Sequence, residues 1–189
     1  MWNIIEEEFN FEKQHHKETV FTIGNGYLST RGAFEEHYPG EMRATFLHGV
    51  FDDAPTVFTE LANAPDWLEL DIFLAGEHFR LDKGTLLSFR RTLDLRTATL
   101  RRDLRWRSPR GRETHLVFER FASLADEHLC MVKVAITPEN YSGRVDVRGG
   151  INSEVDNLKL KHWDWVRQGV RATEATHEDA AQRASWTAQ

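Results

Sequence analysis

The sequence contains a single cysteine, Cys130, and no long apolar run. One cysteine excludes an internal disulfide and is typical of proteins from a reducing compartment. The longest apolar runs, such as residues 129–132, have four residues, whereas a membrane-spanning helix needs about 18. Residues 1–8 carry neither the basic nor the apolar stretch of a secretory signal. The sequence therefore predicts a cytoplasmic protein without a membrane segment.

The sequence also lacks an excess of basic residues. It has 24 Lys and Arg and 30 Asp and Glu, which gives a net charge of −6. This balance argues against a nucleic-acid-binding or membrane-surface role. Residues 90–120 are the exception, with ten arginines against four acidic residues. An RNA-binding strand pair with Trp106 as a stacking platform is one interpretation of this stretch. Alternation favours a solvated sheet face, or one docked on an acidic partner domain, formed by Arg101, Asp103, Arg105 and Arg107 opposite Leu104 and Trp106.

Recognisable catalytic and metal-binding signatures are missing. There is no G-x-S-x-G elbow, P-loop or H-E-x-x-H sequence, and the nine histidines form no H-x-x-x-H pair. The adjacent His15 and His16 are expected to point to opposite faces of a strand. Cys130 is expected to be a buried, inert thiol. We therefore predict no catalytic residue and no metal ligand within the chain.

The carboxylate pairs and one aromatic cluster remain open to two interpretations. Glu35-Glu36, Asp52-Asp53 and Asp164 are expected to be solvated charges, since the sequence places no two of them at the separation that glycosidic acid–base chemistry needs. The segment Trp163-Asp164-Trp165 resembles a sugar-stacking site with a hydroxyl acceptor. Core packing of the two tryptophans explains it equally well.

Alternation of apolar and polar residues with a period of two dominates the chain and predicts antiparallel strands. Two hairpins are expected, one turning at Ala75-Gly76 and one at residues 108–111, and further strands at 129–136 and 145–147. Only residues 173–189 favour a helix, and weakly, because they lack an apolar stripe. The pattern predicts an all-β antiparallel sandwich or barrel.

Three segments in fixed order carry a resemblance to a known family. The first is FTIGNGYLSTRG at residues 21–32, followed by Glu35-Glu36, then TFLHGVFD at 45–52 and ELANAPDW at 60–67. Together they resemble the N-terminal signature of glycoside hydrolase family 65, the maltose, trehalose and kojibiose phosphorylases and related trehalases. Ser29 stands where that signature usually has glycine. Without the resemblance, Gly24-Asn25-Gly26 predicts a turn with positive φ at Asn25 and Gly26, and not a dinucleotide site, because Ser29 replaces the third glycine.

The resemblance implies a particular architecture. Residues 1–170 would form an antiparallel β-supersandwich, galactose-mutarotase-like, and such a sandwich usually needs somewhat more chain than these 189 residues. Residues 171–189 would be a tail that is a weak helix, a strand or disordered. The catalytic (α/α)6 barrel that follows this domain in the family is absent from the chain, so no catalytic residue is carried over.

The resemblance also implies a function. The parent enzyme would cleave an α-glucoside disaccharide by inverting phosphorolysis or hydrolysis, with inorganic phosphate as a co-substrate in the first case and no metal. This chain, expected to be inactive alone, would pack on the barrel and support a homodimer. Its signature loop would face the barrel, and Arg31 would pair with a group across that contact. The matching signature residues are Gly24, Asn25, Gly26, Tyr27, Arg31 and Gly32.

Two alternatives stay open at this point. One is a free-standing carbohydrate-binding module that uses Trp163, Trp165 or Trp106 as stacking platforms. The other is a small mutarotase-type enzyme with a histidine and a carboxylate as acid and base.

Overall fold

The computed structural model describes residues 2–53 and 59–163. Nearly all regular structure in this part of the chain is β, and the strands are β1 (Asn3–Glu6), β2 (Ile23–Gly24), β3 (Leu28–Thr30), β4 (Thr45–Asp53), β5 (Thr59–Asn63), β6 (Leu70–Leu74), β7 (Glu77–His78), β8 (Thr85–Asp94), β9 (Thr99–Arg107), β10 (Glu113–Ala122), β11 (Cys130–Pro138) and β12 (Val145–Gly149). No helix in these two ranges is long and apolar enough to cross a membrane.

The strands form three sheets with orders β1-β8-β9-β10-β11, β12-β6-β7 and β2-β3-β4-β5. Every strand pair in the described ranges is antiparallel, which confirms the predicted all-β antiparallel class. Both predicted hairpins are present as β6–β7 and β9–β10. Ala75 and Gly76 have φ values of 48° and 83°, and two positive values in succession give the turn the twist that a two-residue hairpin needs.

The main core lies between the five-stranded sheet and β6–β7. Along β10 every second side chain is buried, and β9 likewise buries its even-numbered residues. Their inward side chains meet those of β6 and the loop after β3 in one cluster, which includes Ile72, Leu74, Phe79, Leu104, Trp106, Leu116 and Phe118. A second, smaller cluster joins Leu93 and Leu100 to Phe21 and Ile23.

A short helix near the N-terminus was not predicted. A 3₁₀ turn (Phe11–Lys13) leads into α1 (Gln14–Val20), and the Asn10 side chain accepts a hydrogen bond from the Glu12 amide at 2.8 Å. The residues that α1 buries are polar, Gln14 and Glu18, so the sequence shows no apolar stripe there. His15 and His16 therefore lie on a helix, and the prediction that placed them on a strand was wrong. The predicted boundary at 170 and the tail 171–189 lie outside the described residues.

Candidate functional site

The signature segment forms the β2–β3 hairpin and is held by Asn25. The Asn25 Oδ1 atom accepts hydrogen bonds from the amides of Tyr27 and Leu28, at 3.1 and 3.0 Å. Its Nδ2 group donates to the carbonyls of Ser123 and Glu127, at 2.7 and 2.9 Å. Asn25 thus joins the hairpin to the loop between β10 and β11. Gly26 has the predicted positive φ of 89°, but Asn25 does not, so that part of the turn prediction was wrong.

The glycine that ends the signature is required by close packing against α1. A Cβ atom on Gly32 would lie 2.7 Å from the Phe21 Cβ atom and 2.9 Å from its carbonyl carbon, closer than real Cβ contacts. The Gly32 amide donates to the Glu18 carbonyl at 2.6 Å. The segment can therefore pass this close to the C-terminal end of α1 only without a side chain.

Arg31 is fixed to α1 and to the loop before β4. Its guanidinium donates to Thr19 Oγ1 at 2.9 Å and to Glu18 Oε2 at 3.1 Å. It also donates to the carbonyls of His15 and Met42, at 3.0 and 2.9 Å. These four contacts lie within the domain. A contact of Arg31 with a second domain stays a prediction.

Three arginines on neighbouring strands point into the sandwich instead of into solvent. Arg91 on β8, Arg102 on β9 and Arg120 on β10 are each at most 2% exposed. Glu35 and Glu36, in the loop after β3, are 3% and 0% exposed. The expectation that this glutamate pair is solvated was therefore wrong. The predicted solvated face comprised only residues 101, 103, 105 and 107, which do lie on the outer side of the sheet, so the burial of these three arginines was not predicted.

The buried arginines and glutamates pair with one another. Arg91 binds Glu6, with Nε at 2.9 Å and Nη2 at 2.6 Å from Oε2. Arg102 Nη1 donates to Glu36 Oε1 at 2.6 Å, and its Nη2 donates to Glu35 Oε2 at 2.9 Å. Arg120 reaches Glu35 Oε1 at 3.1 Å. We call these six residues the buried charge cluster; three cations offset three anions in it.

Aromatic rings and further backbone contacts complete the surroundings of the buried charge cluster. The Arg102 guanidinium carbon lies 4.2 Å from the ring centroids of both Phe34 and Phe118. Arg120 Nη1 also donates to the Ala33 carbonyl at 2.7 Å. The cluster thereby clamps the loop that follows the signature hairpin onto the inner face of the five-stranded sheet.

Burial and charge act in opposite directions on the acids and bases of this cluster. Burial by itself would raise the pKa of the Glu35 carboxyl, but Arg120 and Arg102 outweigh it and hold that pKa below its ordinary value. Burial lowers the pKa of Arg120 to about 10, against the opposing effect of Glu35. Both groups therefore remain charged at neutral pH, and removal of any one partner would leave an uncompensated charge in the interior.

The outward face of the same sheet carries charges that are already matched. Arg101 pairs with Asp103 at 2.8 Å, Arg105 pairs with Glu139 at 2.8 Å, and Arg107 pairs with Glu113 at 2.8 Å. Although residues 90–120 are rich in arginine, this face therefore carries little unpaired positive charge. Docking of an acidic partner on it stays a prediction.

The tryptophans proposed as stacking platforms have different environments. Trp106 is 1% exposed and its indole N–H donates to the Lys83 carbonyl at 2.7 Å, so its assignment as a platform was wrong. Trp163 is 40% exposed, and its indole N–H donates to the Asn63 carbonyl at 2.6 Å. Trp165 lies outside the described residues. A sugar-stacking pair of Trp163 and Trp165 stays a prediction.

The third motif ties β5 to the segment 150–163. Asn63 is only 6% exposed. Its side-chain Oδ1 atom accepts from the backbone N–H of Thr45 at 2.9 Å, and its backbone N–H donates to Asn157 Oδ1 at 2.8 Å. Asn157 in turn donates to the Leu61 carbonyl at 2.7 Å. Nearby, Asp66 accepts from Arg43 Nη1 at 2.7 Å.

No cluster of three or more His, Cys, Asp or Glu side chains suited to a metal ion occurs within residues 2–53 and 59–163. Cys130 lies half-buried on β11, and burial raises its pKa to about 11. A thiol with that pKa is almost entirely protonated at neutral pH, so Cys130 is a poor nucleophile.

Comparison with protein families gives a match over nearly the whole chain. Residues 4–189 match the model for the N-terminal domain of glycosyl hydrolase family 65. The chain belongs to this family. The motifs at 21–32, 45–52 and 60–67 therefore identified it correctly.

Relatives of this family 65 domain include a kojibiose phosphorylase and an α,α-trehalose phosphorylase. A kojibiose phosphorylase from Halothermothrix orenii is 43% identical over 162 residues, covering 86% of this chain and 21% of the relative. An α,α-trehalose phosphorylase from Thermoanaerobacter brockii is 28% identical over 172 residues, covering 83% of this chain and 22% of the relative. The chain thus spans about a fifth of the length of these relatives.

A solved structure shares the fold of the family 65 domain. It is described as a putative kojibiose phosphorylase from the human microbiome, with a TM-score of 0.77 and 20% identity. The match covers 85% of this chain and 23% of the other. It agrees with the sandwich predicted for the family.

The structure gives the family 65 motifs a common role in holding the fold. Asn25 joins a hairpin to a distant loop, Gly32 permits contact with α1, and Asn63 fastens the segment 150–163. The buried charge cluster was missed, although part of its signal was present. Arg102 alternates in phase with Leu104 and Trp106, and that phase places its side chain inside.

Proposed function

We propose that this chain is the non-catalytic N-terminal domain of a larger enzyme that cleaves α-glucoside disaccharides of the maltose, trehalose or kojibiose type. The family match over residues 4–189 carries the proposal. The names of the relatives support phosphorolysis, with kojibiose phosphorylase at 43% identity. In such a reaction the phosphate or water attacks the anomeric carbon on the face opposite the protonated leaving oxygen. The catalytic acid would lie in the barrel, outside this chain, and the single cysteine supports a cytoplasmic location.

The domain would pack against the remainder of the parent enzyme through an open side of the sandwich. This side lies at β12, an edge strand of the sheet β12-β6-β7. On β12, Val145 and Val147 are 36% and 49% exposed, although they pair with the fully buried Leu74 and Ile72 on β6. Apolar side chains on the core-facing side of an edge strand favour cover by further polypeptide. Contact with the barrel and support of a homodimer are both part of this proposal.

An activity comparison between the 189-residue chain and its parent enzyme tests the proposal. Kojibiose, trehalose and maltose are each incubated with either protein, with and without inorganic phosphate, and free glucose and sugar phosphate are measured. We expect products only with the parent. Cleavage by the 189-residue chain would overturn the assignment as a non-catalytic domain.

Two binding and isomerisation assays separate the alternatives. Faster mutarotation of an aldose in the presence of the chain would favour a small mutarotase-type enzyme. Heat released on titration with maltose or trehalose would favour a carbohydrate-binding module using the exposed Trp163 ring. We expect neither signal from a domain whose role is packing.

A further inference from the structure

The side chain of His162 lies between two carboxylates from neighbouring strands. Its Nδ1 atom is 2.9 Å from Asp52 Oδ2 on β4, and its Nε2 atom is 2.9 Å from Glu60 Oε1 on β5. The imidazole is 2% exposed, against 57% for the Asp52 side chain and 27% for that of Glu60. One ring therefore connects the segment 150–163 to both strands of the β4–β5 hairpin.

The two contacts together require a charged histidine. A neutral imidazole has one N–H group and can donate to only one partner, whereas an ionised carboxylate only accepts. Both 2.9 Å contacts are hydrogen bonds at the same time only when Nδ1 and Nε2 both carry a proton. We propose that His162 is a proton-dependent clasp, which fastens the segment 150–163 to the β4–β5 hairpin as an imidazolium and releases one of its two contacts on deprotonation.

The charges around the clasp favour the protonated form. The hydrogen bond with Asp52, followed by that with Glu60, raises the pKa of His162 against the opposing effect of burial. The same contact lowers the pKa of the Asp52 carboxyl. The neighbouring Lys161 forms an ion pair with Glu154. Asp53, next to Asp52, accepts from the Thr59 hydroxyl at 2.7 Å.

Other contacts of the segment do not titrate near neutral pH. Asn157 binds the backbone of Leu61 and Asn63, and the Trp163 indole binds the Asn63 carbonyl. Loss of the proton from His162 therefore loosens one end of the segment and does not detach it. Of the contacts made by Asn157, His162 and Trp163 with the β4–β5 hairpin, only those of His162 are expected to change with pH near neutrality.

The direction of the pH dependence follows from the two shifts. The stabilisation from His162 is complete below its ordinary pKa of 6.5 and is lost as the pH rises through the raised pKa of the folded chain. The stabilisation from Asp52 is present above its ordinary pKa of 3.8 and is lost as the pH falls through its lowered value. The clasp is therefore closed in mildly acidic solution.

Nitrogen NMR of the histidine rings in the 189-residue chain tests the proposal. We expect both ring nitrogens of His162 to be protonated at pH 6 and its midpoint to lie above 6.5. Asp52→Asn and Glu60→Gln should each lower that midpoint, because each removes one anion while keeping the shape of the side chain. The control Asp103→Asn, which alters the carboxylate beside His115, should leave the His162 midpoint unchanged. A midpoint at or below 6.5, or one unmoved by both clasp variants, would overturn the proposal.

Hydrogen exchange at the backbone amide of Asn63 reports how firmly the segment 150–163 is held on the β4–β5 hairpin. This amide donates to Asn157 in the clasped segment. At pH 6 we expect it to exchange several-fold faster in His162→Gln than in the unaltered chain at the same pH. At pH 9 the two proteins should exchange at nearly equal rates. An equal difference at both pH values would mean that His162 fastens the segment without regard to its proton, and the clasp would be refuted.

Discussion

Arg101 and Arg102 are adjacent on β9 and have opposite environments. The Arg101 side chain is 44% exposed and pairs with Asp103 and Glu119 on the outer face of the sheet. Arg102 is 2% exposed and pairs with Glu35 and Glu36 inside. Consecutive side chains of a strand point to opposite faces, so the difference comes from position alone. The pair offers a matched comparison of a surface and a buried charge.

We expect Arg102→Met to lower the free energy of unfolding by about 3–5 kcal/mol, because it leaves Glu36 and Glu35 with too little compensating charge in the interior. Arg101→Met should change it by less than about 1 kcal/mol, since exposed ion pairs contribute little. Urea unfolding of both variants measures the two values. Equal effects would contradict the buried charge cluster. The double variant Arg102→Met with Glu36→Gln should recover part of the loss, because the buried anion goes with its partner.

Hairpins were predicted more successfully than the helix. The alternating residues of β6–β7 and β9–β10 show which face is buried, and each turn carries its own glycine, Gly76 and Gly111, with positive φ. In α1 the buried residues are Gln14 and Glu18, which accept hydrogen bonds from Arg91 and Arg31, respectively, beyond the helix. A helix that buries polar groups has no amphipathic pattern to recognise. Short elements of this kind become visible only with their partners in place.

The contact between the β2–β3 hairpin and the β10–β11 loop depends on one side chain. We expect Asn25→Ala to cost about 2–3 kcal/mol, because two amides and two carbonyls lose their partner at once. Hydrogen exchange should show faster exchange at the amides of Tyr27 and Leu28. In Asn25→Asp these two amides should stay protected, because the acceptor remains, while the loop at 123–127 loosens. Unchanged exchange in Asn25→Ala would rule out this role.

Among the described residues, the edge strand β12 has core-facing apolar side chains that are partly exposed. Val147 is 49% exposed on the inner side of β12, and Met131 is 45% exposed on the outer side of β11. Both are apolar and similarly accessible in this chain. They differ in the face on which they lie: a segment of the proposed parent enzyme that covers the core-facing side of β12 would contact Val147 and not Met131.

We expect Val147→Lys to change the stability of the 189-residue chain by no more than about 0.5 kcal/mol, as at other exposed sites. In the parent enzyme the same change should cost about 2 kcal/mol or more, because it would bury an unpaired charge. Met131→Lys should be nearly neutral in both proteins. Thermal unfolding of the four variants gives the comparison. If Val147→Lys is neutral in the parent enzyme as well, the open side is not its packing surface.

The all-β class, the main hairpins and the family could be predicted from the amino-acid sequence. These follow from alternation between neighbours in the chain and from short motifs, and both are local properties. Which charges are buried depends instead on contacts that form only in the folded chain. Arg102 lies 66 residues from Glu36, and His162 lies 110 residues from Asp52. The cost of burying a charge depends on the partner that meets it, and no local pattern records a partner so distant along the chain.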